Sequence, residues 1–130
     1  MAANLVDDLT IENDWLLLRR VSPLWLVSDG AGGVRLSSQA FQNHPTNPLA
    51  FSVHLERVLI ELGLPNESIV SSHAGYSVVA LTAALVRQHG QIIARAPEPA
   101  DPAHAHVIGK KSGSVKAAFS KAAIWIVPPL

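Results

Sequence analysis

The sequence predicts an α+β fold: one small domain with a mixed or antiparallel sheet of short strands, packed by about three helices. Three observations predict it. Hydrophobic residues make up 48% of a 130-residue chain without cysteine, so its core must form from packing alone, with no disulfide or thiolate-bound metal. Short apolar pieces cut by Gly, Pro, Asn and Asp run along the chain, the pattern that short strands produce. Apolar residues recur at helical spacing within residues 55–62, 77–89 and 115–126, and no internal repeat or low-complexity segment competes with this reading.

Residues 1–13 have little periodicity and end in the polar cluster Glu12-Asn13-Asp14. They read as an arm or short amphipathic helix whose order depends on a partner, ahead of a single α+β domain at 14–130. From Trp15 to Val21 the chain is apolar except for Arg19 and Arg20, and Ser22-Pro23 stops it, which suits a strand or a short helix. Leu24 to Val27 and Val34 to Ser37 flank a glycine-rich stretch and read as a hairpin. Residues 38–50, with Pro45 and Pro48, form a surface loop.

Phe51-Ser52-Val53 is a brief strand, and Leu55, Val58, Leu59 and Leu62 then share one helical face that Gly63 ends. Ile69-Val70 reads as another short strand. The strongest helix signal spans Tyr76 or Ser77 to His89, rich in alanine and leucine, with Ser77 as cap and Gly90 as stop. Gln91 to Ala96 is a strand, and Pro97-Glu98-Pro99 leads into a second one bearing His104 and His106 that pairs with it. Val115, Phe119, Ala122 and Ile126 define a last helix, with Trp125 near its end.

Ten basic and ten acidic residues cancel overall, yet Arg87, Arg95, Lys110, Lys111, Lys116 and Lys121 outnumber Glu98 and Asp101 in the last third. That excess suits a phosphate or an acidic partner and falls short of a dedicated duplex binder, so nucleic acid is possible but not implied. The acidic N-terminus and the lack of a long apolar run predict neither a signal peptide nor a membrane span, with the cytoplasm as the expected compartment.

Chemistry is concentrated in residues 101–111. His104 and His106 alternate on a strand and therefore share a face. Gly109 bends the chain, and Lys110-Lys111 lead into Ser112-Gly113-Ser114, a helix start whose free N–H groups suit an anion. A metal held by the two imidazoles needs a third ligand from His54, His73 or Asp101, and no fixed spacing supplies one, so no metal or cofactor is assigned. The Gly-Lys-Lys-Ser stretch lacks the earlier glycine of a P-loop, leaving a looser anion site or a solvated basic turn. Ser37, Ser38, Ser52, Ser71 and Ser72 carry hydroxyls, none within a Gly-x-Ser-x-Gly elbow, and turn and cap roles compete with catalysis. Of the three tryptophans two are expected in the core, while Trp125, beside an apolar proline-rich end, suits an oligomer contact.

The pieces Arg19-Arg20, Val34-Arg35-Leu36-Ser37-Ser38 and Phe51-Ser52-Val53 look similar to small ADP-ribosyltransferase-like domains. Those commonly place a basic or histidine residue on one core strand and a serine on another. The similarity covers less than half the chain and assigns no acidic residue to the family's late catalytic position, so it transfers no catalytic role.

Two functional readings follow. The first is a non-catalytic binding or accessory module that self-associates or engages a protein partner through its apolar C-terminal edge and basic C-terminal surface. The second is a small enzyme acting on a nucleotide or other phosphorylated substrate, with His104 or His106 as acid or base and Lys110 or Lys111 binding the phosphate. The binding candidates are Arg35, Ser52, His54, Lys110, Lys111, Ser112 and Trp125.

Overall fold

Two arginines inside an otherwise apolar strand need somewhere to go, and the central strand sends them in opposite directions. A computed structural model of the chain describes residues 6–46 and 49–129. Residues 1–5 of the expected arm and Pro48 of the expected loop lie outside the described residues. Strand β1 (Leu16–Val21) runs between β4 (Ala50–Leu55) and β5 (Ser77–Thr82). Outside these lie β7 (His104–Ile108) and β6 (Ile92–Arg95) at one margin and β8 (Ile124–Val127) at the other. The order is β6-β7-β4-β1-β5-β8 and every pair is antiparallel. The predicted hairpin forms a separate two-stranded sheet from β2 (Leu26–Ser28) and β3 (Val34–Leu36).

Three α-helices, α1 (Glu56–Glu61), α2 (Ala83–Gln88) and α3 (Gly113–Ala122), complete an α+β domain. Alternation along the strands divides the sheet into two unequal sides. Leu17, Phe51, Val53, Val79, Leu81, Ile93 and Val107 form the main core with Phe41, Val86 and Phe119, so α2, α3 and the 3-10 turn Ser38–Phe41 cover this side. On the other side Leu18, Val78 and Ala80 pack against Leu59 and Ile69, and that cover stops short of β4, β7 and β6. We call these the covered side and the open side.

The helix expected from Tyr76 or Ser77 to His89 is half strand. Residues Ser77 to Leu81 are all buried, lodged between β1 and the edge strand β8. Such a strand reads as a continuous apolar run, which periodicity alone does not separate from a buried helix. The helix begins only at Ala83, where the Thr82 hydroxyl caps it by accepting from Leu85 N–H. Two other expectations are corrected. Ile69-Val70 belongs to a 3-10 turn, Asn66–Val70, whose Ile69 plugs the open-side core. The last helix ends at Ala122, and Trp125 and Ile126 stand on β8, where Ile124, Trp125 and Val127 pair with β5 and the register shifts at Ile126.

Residues 6–13 have no helix or strand but are fastened to the domain: Ile11 is fully buried, and Asp8 N–H donates to Ile93 O. Arg87 pairs with Asp7 at 2.8 Å and Arg95 with Asp8 at 3.1 Å. Two arginines counted in the basic last third are thus neutralised by the N-terminal acids. None of the described helices is long and apolar enough to cross a membrane.

Candidate functional site

β4 and β7 meet with Ser52 opposite His106 and His54 opposite His104, so all four side chains share the open side. The predicted same-face placement of His104 and His106 holds, and their rings lie 4.9 Å apart, edge to face. His104 Nδ1 lies 2.8 Å from the carbonyl of Ala96, which only accepts, so Nδ1 carries the proton of the neutral ring. Nε2 is then the free lone pair, and the Ser52 hydroxyl donates to it at 3.0 Å. A hydroxyl, an imidazole and a group that orients the imidazole stand in line, which is the arrangement that activates a serine or a water.

His54 lies beside this pair, its ring centroid 6.1 Å from that of His104. The proline-rich turn at 96–103 is closed by paired backbone hydrogen bonds between Glu98 and Asp101. It brings Asp101 Oδ2 to 2.8 Å from His54 Nε2. The carboxylate requires Nε2 to be the donor, which leaves Nδ1 as a buried acceptor without a partner. Burial pushes the His54 imidazole below its ordinary value, and the attraction of Asp101 only partly offsets that. His106 is also pushed down, by burial first and by His104 second.

The stability consequence has a definite sign. Both rings bind protons less readily folded than unfolded, so their contribution is complete above about pH 6.5 and is lost as the pH falls below it. We expect the urea midpoint to drop between about pH 6.5 and 5 and the drop to be shallower in His54→Leu. Equal slopes in the two proteins, followed by fluorescence, would contradict the neutral-ring assignment.

Next to His54 opens a cavity of about 310 Å³ lined by Arg20, His73, Ser68 and Asp101 among others. Arg20 Nη1 donates to Ile69 O at 3.4 Å and lies 3.2 Å from His73 Nε2, with no carboxylate in ion-pair range among the described residues. A guanidinium so placed suits an anionic group of a ligand. The open side therefore carries acid–base groups and a cation within one continuous patch.

The lysines do not join it. Lys111 lies on the covered side, Nζ 5.0 Å from the Phe51 ring, donating to the carbonyls of Leu49, Val107 and Gly109. Lys110 is exposed beyond the bend, and Ser112 caps α3 through Val115 N–H, as its sequence context predicts. The reason is Gly109. Its φ of +149° turns the chain, and a Cβ there would meet the buried Gln91 side chain at 2.7 Å, so the strand cannot continue with both lysines beside the histidines. Arg35 is exposed on β3, in the separate two-stranded sheet, and lines a cavity of about 580 Å³ with Lys121, which none of the histidines lines. Trp125 is 37% exposed on the edge strand, while Trp15 and Trp25 are half-buried against the core.

Sequence reasoning weighed Asp101 only as a third metal ligand, not as the partner of His54, and did not weigh Arg20 as a partner of the histidines or the cavity around Arg19. The available signal was the Arg19-Arg20 doublet within an apolar strand, because neighbouring strand residues must enter opposite sides. Among the described residues no three His, Asp or Glu side chains converge as a metal ligand set. The chain matches no protein-family model, no curated protein and no solved structure.

Proposed function

We propose that the protein is a small enzyme acting on a phosphorylated substrate, with His104 as the general base. The observation that carries this is the Ser52–His104–Ala96 line, in which the tautomer leaves Nε2 free to take the proton of Ser52 or of a water that replaces its contact. Arg20, rather than the expected Lys110 and Lys111, is the cation on the same side that meets the phosphate. His106 and His54 flank His104 as neutral rings at neutral pH, while the Asp101 carboxylate holds His54 Nε2 and Glu98 Oε1 lies 3.4 Å from His104 Nδ1.

The test is a panel of p-nitrophenyl phosphate, bis-p-nitrophenyl phosphate and nucleotides, read as product release and as a shift of the melting temperature. The reading predicts turnover that disappears in His104→Ala and whose KM rises by at least about tenfold in Arg20→Gln. No turnover and no shift across the panel would count against it.

A second reading, self-association through β8, is favoured by a separate observation. β8 is an edge strand, and Ile124 and Trp125 on it are 54% and 37% exposed. Apolar side chains on an unpaired edge invite pairing with another strand. The protein is then expected to sediment as a dimer or larger species, and Ile124→Lys with Trp125→Lys to convert it to monomer without lowering its melting temperature. A wild-type monomer at high concentration would rule this reading out.

A further inference from the structure

On the covered side, directly behind Ser52, Arg19 enters a second cavity of about 310 Å³. Its guanidinium stacks on aromatic rings, 5.2 Å from Trp25 and 4.9 Å from Phe51. Nε donates to Ala40 O and Nη1 to Ser52 O, each at 3.0 Å. A guanidinium has five N–H groups, so the remainder of the fork is uncommitted.

The electrostatics around Arg19 are one-sided. No carboxylate lines the cavity, and none lies within ion-pair range of Arg19 among the described residues. Burial lowers Arg19 to about 10, and the charge acting on it is a cation, Arg20. Lys111, by the same Phe51 ring, is lowered to about 8 by burial and by Arg19 itself. Where this fold uses arginine as structural glue it supplies an acid, as Arg87 with Asp7 and Arg95 with Asp8 show. A desolvated cation beside a second cation has no such compensation.

Other polar groups of the lining are suited to donate. Gln39 and Gln42 offer amide N–H groups. His44 accepts at Nδ1 from Thr46 N–H at 3.2 Å, which puts its own proton on Nε2. Trp25 and Pro45 supply an apolar wall, and the volume lies at the small end of ligand sites.

We propose that the Arg19 cavity binds a small phosphate monoester, its phosphate on the free edge of the guanidinium and its apolar part along Trp25. Several converging donors favour a tetrahedral anion with three free oxygens over a carboxylate with two. This site lies on the other side of the sheet from His104, meeting that patch at Ser52, whose carbonyl accepts from Arg19, and does not depend on the catalytic reading.

The experiment is calorimetric titration of the whole chain with inorganic phosphate, phenyl phosphate and phenol, repeated on four variants. Phenyl phosphate is expected to bind at least about tenfold more tightly than inorganic phosphate or phenol. Arg19→Lys removes the fork and should weaken it by at least about tenfold. Gln42→Glu, at an exposed position, puts a carboxylate against Arg19 and should do the same even if Arg19→Lys fails to fold. In His104→Ala and Arg20→Gln the binding that Gln42→Glu removes should persist, and Lys111 should titrate higher in the saturated protein by NMR. The proposal is overturned if neither phosphate binds, if phenol binds equally well, if Gln42→Glu binds as wild type does, or if Arg20→Gln abolishes binding.

Discussion

His104→Ala is expected to lower turnover of a phosphorylated substrate by about 10²–10⁴-fold, the usual worth of a positioned general base. The ring lies on β7 in the sheet interior, with Nδ1 tied to Ala96 O and only Nε2 free, so its removal deletes the base without breaking the β4–β7 ladder. Ser52→Ala separates two mechanisms. If Ser52 is the nucleophile, its loss matches that of His104 and the double variant is no worse, as for residues that act as one unit. If the hydroxyl only positions a water, Ser52→Ala retains more activity than His104→Ala. His104→Ala with unchanged kcat would refute the catalytic assignment.

The second large effect is on stability. Phe119→Ala is expected to cost about 3–5 kcal/mol, a large share of the roughly 5–15 kcal/mol that holds a typical domain folded. Phe119 is fully buried and is the main anchor of α3 on the covered side. Its ring lies 5.8 Å from Phe41 and 6.4 Å from Phe51, which in turn pack 5.9 Å from each other. Truncation leaves a void flanked by two rigid rings that cannot collapse into it. Urea denaturation measures this. Val115→Ala, at a half-buried position one turn earlier, should cost clearly less. A loss below about 1 kcal/mol for Phe119→Ala would mean that α3 is not held by this cluster.

Strand alternation carried most of what was legible beforehand. His104 and His106 were readable as same-side residues, and the hairpin at 26–36 was readable from its glycines, because both signals are local. The α+β class was readable for the same reason. The strand Ser77–Thr82 was not, since burial on both sides erases the alternation that marks a strand. The partnership of His104 with Ser52 spans 52 residues and that of His54 with Asp101 spans 47, so each depends on strand order. The separation of Lys111 from the histidines depends on the angle at Gly109, and spacing alone does not reveal it.

Arg19 and Arg20 occupy successive positions on β1 and enter different cavities. A slip of one residue in that strand exchanges them and turns Leu17 and Leu18 inside out as well. Length changes within β1 are therefore survivable only in even steps. A single-codon deletion there should damage both cavities at once, whereas any one substitution reaches only one of them.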